Sequence, residues 1–402
     1  MSKLQLGVIF GSRSCEHEVA IISAIQLMRR VDRDKYDVIP VYISQEGAWY
    51  TGAPLLDIKN YVPAFKADVP GILRVQPDVT ARSGALIGYD RGGLLRGGSR
   101  SIVARLDCAI PVMHGLHGED GSLQGLLELM DIPYASTGVA GSAIAMDKIL
   151  MKQCFRGMGF PVLRDMPLTR SAWKKDAVEV IKQVEATLPY PVFVKPANLG
   201  SSIGVSRAED FQSLSDALEV AFSYDRRVLV EEAVNQPIEV NCAVLGFDDE
   251  VMPSVVEMPL TGGELLDFGD KYLRGGGAKG MASLSRVVPA PIGDALTQRV
   301  RDLSCDIFRA LDCKGVIRVD YMIDPATDAL TITEINAIPG SLAFYLWDKS
   351  DPAIAYPRLI DHMVTCALRA WDEKEENNLA FKSDILRNVS LDGAKGAKGA
   401  KT

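Results

Sequence analysis

Four side chains in the C-terminal third of the chain could together hold a metal ion and a phosphate group. Arg318 and Asp320 lie in one apolar stretch, and Glu334 and Asn336 lie in the next. If both stretches are strands that pair about a turn near Thr327, Asp320 lies opposite Glu334 and Arg318 opposite Asn336. Carboxylate and amide oxygens suit Mg²⁺, which takes few protein ligands and completes its shell with phosphates and water. The alternative is a surface hairpin whose charges form ordinary cross-strand pairs.

The strand prediction rests on the alternation of apolar and polar residues. In the first strand, Asp320 points away from an apolar face. That face carries Ile317, Val319, Tyr321 and Ile323. In the second strand, a strict period of two predicts that four residues share one face. Its members are Leu330, Ile332, Glu334 and Asn336.

A second candidate phosphate site lies upstream. The apolar run 192–194 ends in Lys195, and residues 198–204 form a Gly/Ser loop whose backbone N–H groups and hydroxyls could surround phosphates. Lysine supplies a point charge for them. The alternative is a turn between edge strands, and the run is not a Walker A motif, since it lacks Gly-Lys-Ser/Thr at a helix start. Residues 229–234 form a short strand ending in acids, which is either a nucleotide-binding hinge or a solvated strand end.

The elements that position these residues can be predicted in outline. Residues 4–11 are predicted to form a buried parallel strand that leads through a Gly/Ser loop into a helix, and strands are expected at 36–43 and 107–113. Residues 66–101 are predicted to insert a hairpin. An amphipathic helix is expected at 122–130 with Ser122 as its N-cap, and another helix is expected from Ser142 to Arg156.

Composition excludes several classes of function. The chain has 402 residues, 47% hydrophobic and 24% charged residues and a net charge of −8, which argues against nucleic acid or an acidic membrane surface as the main partner. The chain has seven cysteines that are widely scattered along it, so we expect neither disulfide bonds nor a structural zinc site. There is no signal-peptide pattern at the start and no apolar run near about 18 residues, so we predict a cytoplasmic protein of two or three domains.

Seven segments, in order, resemble the ATP-grasp enzymes and specifically the D-alanine–D-alanine ligases. The resemblance extends over nearly all of residues 4–347. The segments are 16–19, 114–121, 146–148, 195–204, 270–272, 318–320 and 334–336. The resemblance implies an α/β (α+β) architecture, with an open parallel α/β domain at 1–135 followed by ATP-grasp subdomains at 136–234 and 235–371. Residues 372–402 are predicted to be a polar, disordered tail.

The resemblance also implies a role for each candidate residue. The ATP phosphates would lie against Lys148, Lys195 and Ser202, with Lys271 on a lid, and the adenosine against Glu231, Val234 and Glu239. Two Mg²⁺ ions, or Mn²⁺, would be bound by Asp320, Glu334 and Asn336. The catalytic group would comprise Glu18, which accepts the ammonium of the first D-alanine, with Ser201, Tyr272, Arg318 and the backbone N–H of Gly340. Glu18, His114, Tyr345 and Leu346 would contact the amino-acid substrates.

The activity implied by the resemblance is the ATP-dependent joining of two D-alanines for peptidoglycan synthesis, by a homodimer. One departure concerns the second substrate: Tyr345 stands where the family usually carries a small hydroxyl residue that holds a carboxylate. The alternative function is therefore the same chemistry with D-serine, D-lactate or a larger amino acid as second substrate. A dinucleotide-binding oxidoreductase is disfavoured, because the loop 11–15 lacks the glycines of that motif. A binding protein without catalysis is disfavoured by the intact charged residues of 318–336.

Overall fold

The first sheet contains seven strands, and parallel strands form one end of it. A computed structural model describes residues 2–89, 100–260 and 286–378 of the chain. The sheet order is β6-β5-β4-β3-β2-β1-β7, in which β1 pairs in parallel with β2 and β7. The first two predicted strands are confirmed at their predicted bounds. The strands are β1 (Leu4–Gly11), β2 (Tyr36–Ile43), β3 (Trp49–Thr51), β4 (Leu73–Pro77), β5 (Ala85–Tyr89), β6 (Arg100–Arg105) and β7 (Cys108–Val112).

Two antiparallel sheets follow. The second has the order β10-β9-β11-β8 and the third β14-β13-β12-β15-β16. The second sheet contains β8 (Asp165–Thr169), β9 (Val192–Pro196), β10 (Ser206–Ala208) and β11 (Arg227–Glu232). The third contains β12 (Ile238–Phe247), β13 (Glu250–Pro259), β14 (Arg286–Val287), β15 (Lys314–Asp324) and β16 (Ala329–Asn336). This mixture of parallel and antiparallel sheets with helices confirms the predicted α/β (α+β) class.

Helices cover the sheets and connect them. They are α1 (His17–Arg30), α2 (Ser122–Met130), α3 (Val139–Met146), α4 (Lys148–Met158), α5 (Arg170–Lys175), α6 (Ala177–Thr187), α7 (Phe211–Tyr224), α8 (Asp294–Ala310), α9 (Phe344–Trp347) and α10 (Tyr356–Glu375). None of the helices in the described ranges is both long and apolar enough to cross a membrane.

The single helix predicted from Ser142 to Arg156 is wrong. Helix α3 ends at Met146, and α4 begins at Lys148 after an extended residue, Asp147. The Asp147 carboxylate accepts hydrogen bonds from the backbone N–H groups of Ile149 and Leu150, both at 3.1 Å. An aspartate in this position caps a new helix rather than continuing the old one. The break places Lys148 at the first turn of α4.

The predicted cap of α2 is also corrected. The helix occupies Ser122–Met130 as expected, but its N-cap is Gly121, with a φ of +86°, and Ser122 is the first helical residue. The Asp120 side chain accepts a hydrogen bond from the Ser122 N–H at 2.9 Å, so a carboxylate one residue before the cap satisfies the helix start.

A shared apolar core joins the first sheet to the third. Phe10 of β1, Met28 of α1, Val316 of β15, Trp347 of α9 and Met363 of α10 are all buried in it. Because apolar side chains from both sheets are buried in one core, the two sheets are held in a fixed relation. The loops at the carboxyl ends of β1 and β7 are thereby held over the polar face of the third sheet.

Gly11 provides a test of this arrangement. Its φ is +95°, and a Cβ atom at this position would lie 2.2 Å from the carbonyl oxygen of Ile43. We expect Gly11→Ala to destabilise the protein by about 2 kcal/mol or more and to lower its melting temperature, through strain and displacement of β2. Gly125→Ala is the matched control, because its Cβ meets nothing within 4 Å and alanine favours the helix. Equal melting temperatures for the two variants would contradict the account.

Candidate active site

A cavity of about 190 Å³ opens where the three sheets meet. Its floor is the polar face of the third sheet, and its other walls are the loops that follow β1, β7 and β9. It gathers most of the side chains predicted from the sequence. Those on its wall are His114, Lys148, Lys195, Ser201, Ser202, Glu239, Arg318, Asp320, Glu334, Asn336 and Gly340.

Strand register confirms the predicted pairing of the acidic residues. Asp320 lies opposite Glu334, and Arg318 lies opposite Asn336. The row continues across the sheet, since Asn241 of β12 is the partner of Asp320, and Glu257 of β13 is the partner of Asn241. Neighbouring strands are about 4.8 Å apart, so four polar side chains form a continuous ladder on one face of the third sheet.

A bulge in β16 makes this ladder possible. Tyr321 pairs with Ile332 while Asp320 pairs with Glu334, which leaves Thr333 as an extra residue. The Thr333 hydroxyl donates to the Asp320 carbonyl at 2.9 Å. Because the extra residue reverses the side-chain alternation, Ile332 is buried in the core and Glu334 faces the cavity. The prediction that both share one face is therefore wrong.

Arg318 and Asp320 form a two-pronged ion pair. Arg318 Nε and Nη2 donate to the two carboxylate oxygens of Asp320 at 2.6 and 2.7 Å, and the Asn336 amide donates to Asp320 Oδ2 at 3.1 Å. Burial opposes the charge on Arg318, but Asp320 outweighs it and raises the Arg318 pKa well above its ordinary value. The guanidinium is thus a permanent positive charge in the cavity wall.

The donor set of this ladder fits a hard divalent cation. Asp320 and Glu334 offer carboxylate oxygens and Asn336 an amide oxygen, which Mg²⁺ and Mn²⁺ accept. Within the part of the chain that the structure describes, no group of three His, Cys, Asp or Glu residues is arranged for a metal ion. Mg²⁺ commonly takes few protein ligands and completes its shell with phosphate oxygens and water.

Two lysines face the acidic ladder across the cavity. Lys148 Nζ lies 3.4 Å from Glu334 Oε2 and donates to the carbonyl oxygen of Leu199 at 2.8 Å. Lys195, at the end of β9, forms an ion pair with Glu231. Opposite charges on facing walls leave a gap suited to a phosphate chain accompanied by its cations.

Glu231 lies behind this lysine rather than on the cavity wall. It is buried between Lys195 and Lys152, whose Nζ is 2.5 Å from Glu231 Oε2. Burial opposes its ionisation, but the two lysines outweigh burial and lower the Glu231 pKa to about 2. The Glu231 carboxylate therefore holds Lys195, and the adenosine-contacting role of this residue stays a prediction. Val234 is half-buried and also lies off the cavity wall, whereas Glu239 lies on it.

The structure corrects the prediction for Glu18 and points to Glu16 instead. Glu18 is exposed on α1, while Glu16 is buried at the N-terminus of the helix and lines the cavity. The Ser201 hydroxyl donates to the Glu16 carboxylate. Residues two apart on a helix point in nearly opposite directions, which explains why only one of the two glutamates can reach the cavity. A Cβ on Gly115 would lie 2.7 Å from Glu16 Oε2, so glycine is needed there.

A hydrogen-bond network fixes the loop that carries Gly340. His114 Nδ1 donates to the Ile338 carbonyl at 2.9 Å, and its Nε2 accepts from the Ser23 hydroxyl at 2.9 Å. The Ser341 N–H donates to that hydroxyl at 3.2 Å. Burial lowers the His114 pKa to about 4, so the ring is neutral at pH 7 and one nitrogen can accept. His114 therefore positions the loop, besides lining the cavity.

Glu119 anchors the same loop from the other side. Its carboxylate accepts from the N–H groups of Gly115 and Ile338, both at 2.8 Å. Burial and the nearby Glu16 raise the Glu119 pKa to about 8. Beyond this anchor, Ser341, Leu342 and Ala343 all have positive φ, between 49° and 55°. Such a left-handed turn of non-glycine residues is unfavourable alone and is retained only because its surroundings hold it.

The structure does not place Tyr345 and Leu346 on the cavity wall. The Tyr345 hydroxyl donates to Glu257 Oε1 at 3.0 Å, so it is engaged by a residue of the cavity wall, and Leu346 is fully buried in the apolar core. The substrate contacts predicted for both residues stay predictions. Lys271 and Tyr272 lie outside the described residues.

Some cavity residues were missed by sequence reasoning. Glu119 was within reach, because it belongs to the motif 114–121 that contains His114. Asn241, Glu257 and Arg286 give no local signal, since their neighbours read as ordinary strand residues. Only the register of the third sheet brings them into the cavity.

Comparisons with known proteins agree with this geometry. Residues 5–137 match the family model described as D-ala D-ala ligase N-terminus, and residues 154–365 match that described as D-ala D-ala ligase C-terminus. The D-alanine–D-alanine ligase of Thermosipho africanus is 34% identical over 383 residues, covering 95% of this chain and 98% of the relative.

Solved structures show the same likeness. The D-alanine-D-alanine ligase from Coxiella burnetii has a TM-score of 0.76 at 25% identity, covering 94% of this chain and 97% of its own. The VanG D-Ala:D-Ser ligase from Enterococcus faecalis has a TM-score of 0.75 at 28% identity, covering 91% of this chain and 100% of its own. The chain belongs to the D-alanine–D-alanine ligase family, whose members are carboxylate-amine ligases.

Proposed function

We propose that the protein joins two D-alanine molecules to D-alanyl-D-alanine with consumption of ATP, for peptidoglycan synthesis. A carboxylate is a poor electrophile, so one carboxylate oxygen first takes the γ-phosphoryl group of ATP, releasing ADP. The amine of the second D-alanine then attacks the acyl carbon. The new C–N bond forms, the C–O bond to phosphate breaks, phosphate leaves with the bonding electrons, and the nitrogen loses a proton.

The observation that carries this proposal is the acidic ladder facing two lysines inside one cavity. Lys148 and Lys195 supply positive charge for the ATP phosphates, and the loop with Ser201 and Ser202 supplies hydroxyl and backbone donors. Glu239 is suited to the ribose hydroxyls, while Glu231 keeps Lys195 in place. Together these groups can orient a phosphoryl donor toward a carboxylate, which is most of what phosphoryl transfer requires.

Two Mg²⁺ or Mn²⁺ ions would be held by Asp320, Glu334 and Asn336. When bound, they would offset phosphate charge during transfer. The protein's own part is the rigid spacing of the ligands, which the bulge at Thr333 and the register of β15 with β16 determine.

The first D-alanine would bind through its ammonium to Glu16, whose carboxylate is held by Ser201. Its carboxylate would then lie toward Arg318 and Gly340. The fixed fork of Arg318 and the backbone N–H of Gly340 are suited to the negative oxygen that develops when the amine attacks. The anchors Glu119 and His114 keep that N–H in position before the substrates arrive.

The second candidate function is the same chemistry with D-serine, D-lactate or a larger amino acid as second substrate. It is favoured by Tyr345, which occupies a position where the family usually carries a small hydroxyl residue. The similar structure of a D-Ala:D-Ser ligase shows that this fold is compatible with another second substrate. We further propose that the enzyme is a cytoplasmic homodimer.

Phosphate release tests the proposed function. Purified protein is incubated with ATP and Mg²⁺ plus D-alanine, D-serine or D-lactate, alone and in pairs, and the products are identified by mass spectrometry. We expect phosphate release and a D-alanyl-D-alanine product with D-alanine alone. Folded protein that forms no product with any of these compounds would contradict the enzyme assignment.

We predict that Glu334→Gln lowers kcat by at least about 100-fold with an unchanged melting temperature, because the amide keeps the shape and removes charge from the cation site. Glu250→Gln, at an exposed ion pair with Arg369, is the control and should behave like the parent protein. Steady-state rates over a range of Mg²⁺ concentrations provide the measurement. Activity of Glu334→Gln within a few-fold of the parent would remove Glu334 from the cation site.

Glu16→Gln and Glu18→Gln form a matched pair two residues apart. We predict that Glu16→Gln raises the KM of the first D-alanine by about 10-fold or more, since it removes a charge-assisted contact with the ammonium. Glu18→Gln should change it by less than about two-fold, because Glu18 is exposed. The KM values are obtained from kinetic fits with two D-alanine sites. A larger increase in KM for Glu18→Gln than for Glu16→Gln would support the ammonium-binding role first predicted for Glu18.

A further inference from the structure

The wall of the cavity formed by β12, β13 and β14 carries polar groups that the proposed steps leave unused. Asn241, Glu257 and Arg286 all line the cavity there. Asn241 and Glu257 are cross-strand partners, and Arg286 belongs to the edge strand that pairs beyond them. We call these three residues the β12–β14 wall.

Arg286 is held in one orientation. Its Nη1 donates to Glu257 Oε2 at 2.9 Å, and its guanidinium carbon lies 3.8 Å from the ring centroid of Tyr345. The Tyr345 hydroxyl donates to the other oxygen of Glu257 at 3.0 Å. Stacking and an ion pair together restrict a side chain that is otherwise long and mobile. The cavity therefore presents two positioned guanidinium groups, Arg286 and Arg318.

Asn241 supplies an independent observation. Only 6% of the residue is exposed, and its Oδ1 atom has no hydrogen-bond partner among the described residues. A buried acceptor without a donor costs free energy, and such atoms in native proteins call for a ligand or an ordered water. Asn241 lines the cavity beside Asp320, so a donor on a bound substrate can satisfy this buried oxygen when the side chain turns toward it.

We infer that the β12–β14 wall binds the second amino acid, with Arg286 on its α-carboxylate and Asn241 Oδ1 accepting an N–H of its attacking amine. This inference rests on the proposed function and concerns its second substrate. Asn241 is one strand from Asp320 and Glu257 is two strands away, about 5 and 10 Å respectively. An amino acid lying along this wall has its amine near the phosphate end of the cavity and its carboxylate farther away.

The position of Arg286 explains why Tyr345 can replace a small hydroxyl residue. The Tyr345 hydroxyl is engaged with Glu257, so the carboxylate contact passes from a hydroxyl to the guanidinium that the ring supports. Burial and the neighbouring Glu257 raise the Tyr345 pKa to about 12, which keeps the phenol protonated as a donor. Glu257 and Tyr345 are thus positioning residues for Arg286.

D-Alaninamide tests the carboxylate contact, because it has an amine but no carboxylate and can act only as second substrate. The measured quantity is the ratio of kcat/KM for D-alanine and D-alaninamide as second substrate, with D-alanine as first substrate. We expect Arg286→Gln to lower kcat/KM for D-alanine by about 10- to 100-fold, as for one charge-assisted hydrogen bond, and to leave D-alaninamide nearly unchanged. Arg286→Lys should recover part of the ratio, and Tyr345→Phe should lower it by a smaller factor.

Arg309→Gln, at an exposed site on α8, controls for removal of a positive charge. An equal loss with both second substrates in Arg286→Gln would show that Arg286 is only structural and would overturn the inference. An unchanged ratio would also overturn it. If the parent protein forms no D-alanyl-D-alanine, the proposed function fails instead, so the two failures are distinguishable.

Asn241→Leu tests the amine contact with a second readout. The substitution removes an unsatisfied buried acceptor at similar size, so the melting temperature should stay the same or rise. We expect the KM of the second D-alanine to rise by about five-fold or more while the KM of ATP is unchanged. An unchanged KM for the second D-alanine would exclude Asn241 from its site.

Discussion

The pairing of Asp320 with Glu334 is the constraint on which the rest of the site depends. Two carboxylates directly opposite each other repel, and folding places them there because apolar residues on the other face of β15 and β16 determine the register. The repulsion is offset by the positive charges of Arg318 and Lys148. The bulge at Thr333 turns Glu334 to the cavity without moving Ile332 out of the core. Catalytic charge and hydrophobic burial therefore coexist in adjacent residues.

The loop around Gly340 likewise adopts an unfavourable conformation that its surroundings hold in place. Three successive residues with positive φ cost about 1–2 kcal/mol each in isolation. Hydrogen bonds from α1 and anchors from the loop after β7 offset this cost. Because the anchors come from the first sheet and the loop follows the third, the shared core that contains Trp347 supports the loop of Gly340 as well as the fold. Stability and the geometry of the cavity are thus coupled through a few buried contacts.

Local sequence patterns predicted the features of the fold that depend on local forces, such as the positions of strands. An apolar run identified β1. Alternation identified β15 and led to the pairing of Asp320 with Glu334, because burial of one strand face leaves a period of two in the sequence. The extra residue at Thr333 leaves no such trace, since threonine fits any strand. The break at Asp147 was readable as a cap but competed with a continuous helical pattern. Residues that act through partners far away in the chain, such as Glu257 with Tyr345, could not be found from spacing.

The choice between Glu16 and Glu18 shows most clearly what sequence patterns alone cannot decide. Both belong to one motif, and either satisfies the positive end of α1. Only the path of the loop after β1, which the structure places against Gly115 and Ser201, decides which carboxylate enters the cavity. A resemblance between sequences can therefore name a motif without showing which of its members lines the cavity.

Oxygen transfer from substrate to phosphate tests the central claim most directly. D-alanine labelled with ¹⁸O in its carboxylate is supplied with ATP, and the released phosphate is analysed by mass spectrometry. Activation of the carboxylate as an acyl phosphate predicts one ¹⁸O atom in each phosphate released, because the bridging oxygen leaves with phosphorus. Phosphate without the label would contradict the account, since it would show that water, rather than the carboxylate of D-alanine, accepts the phosphoryl group.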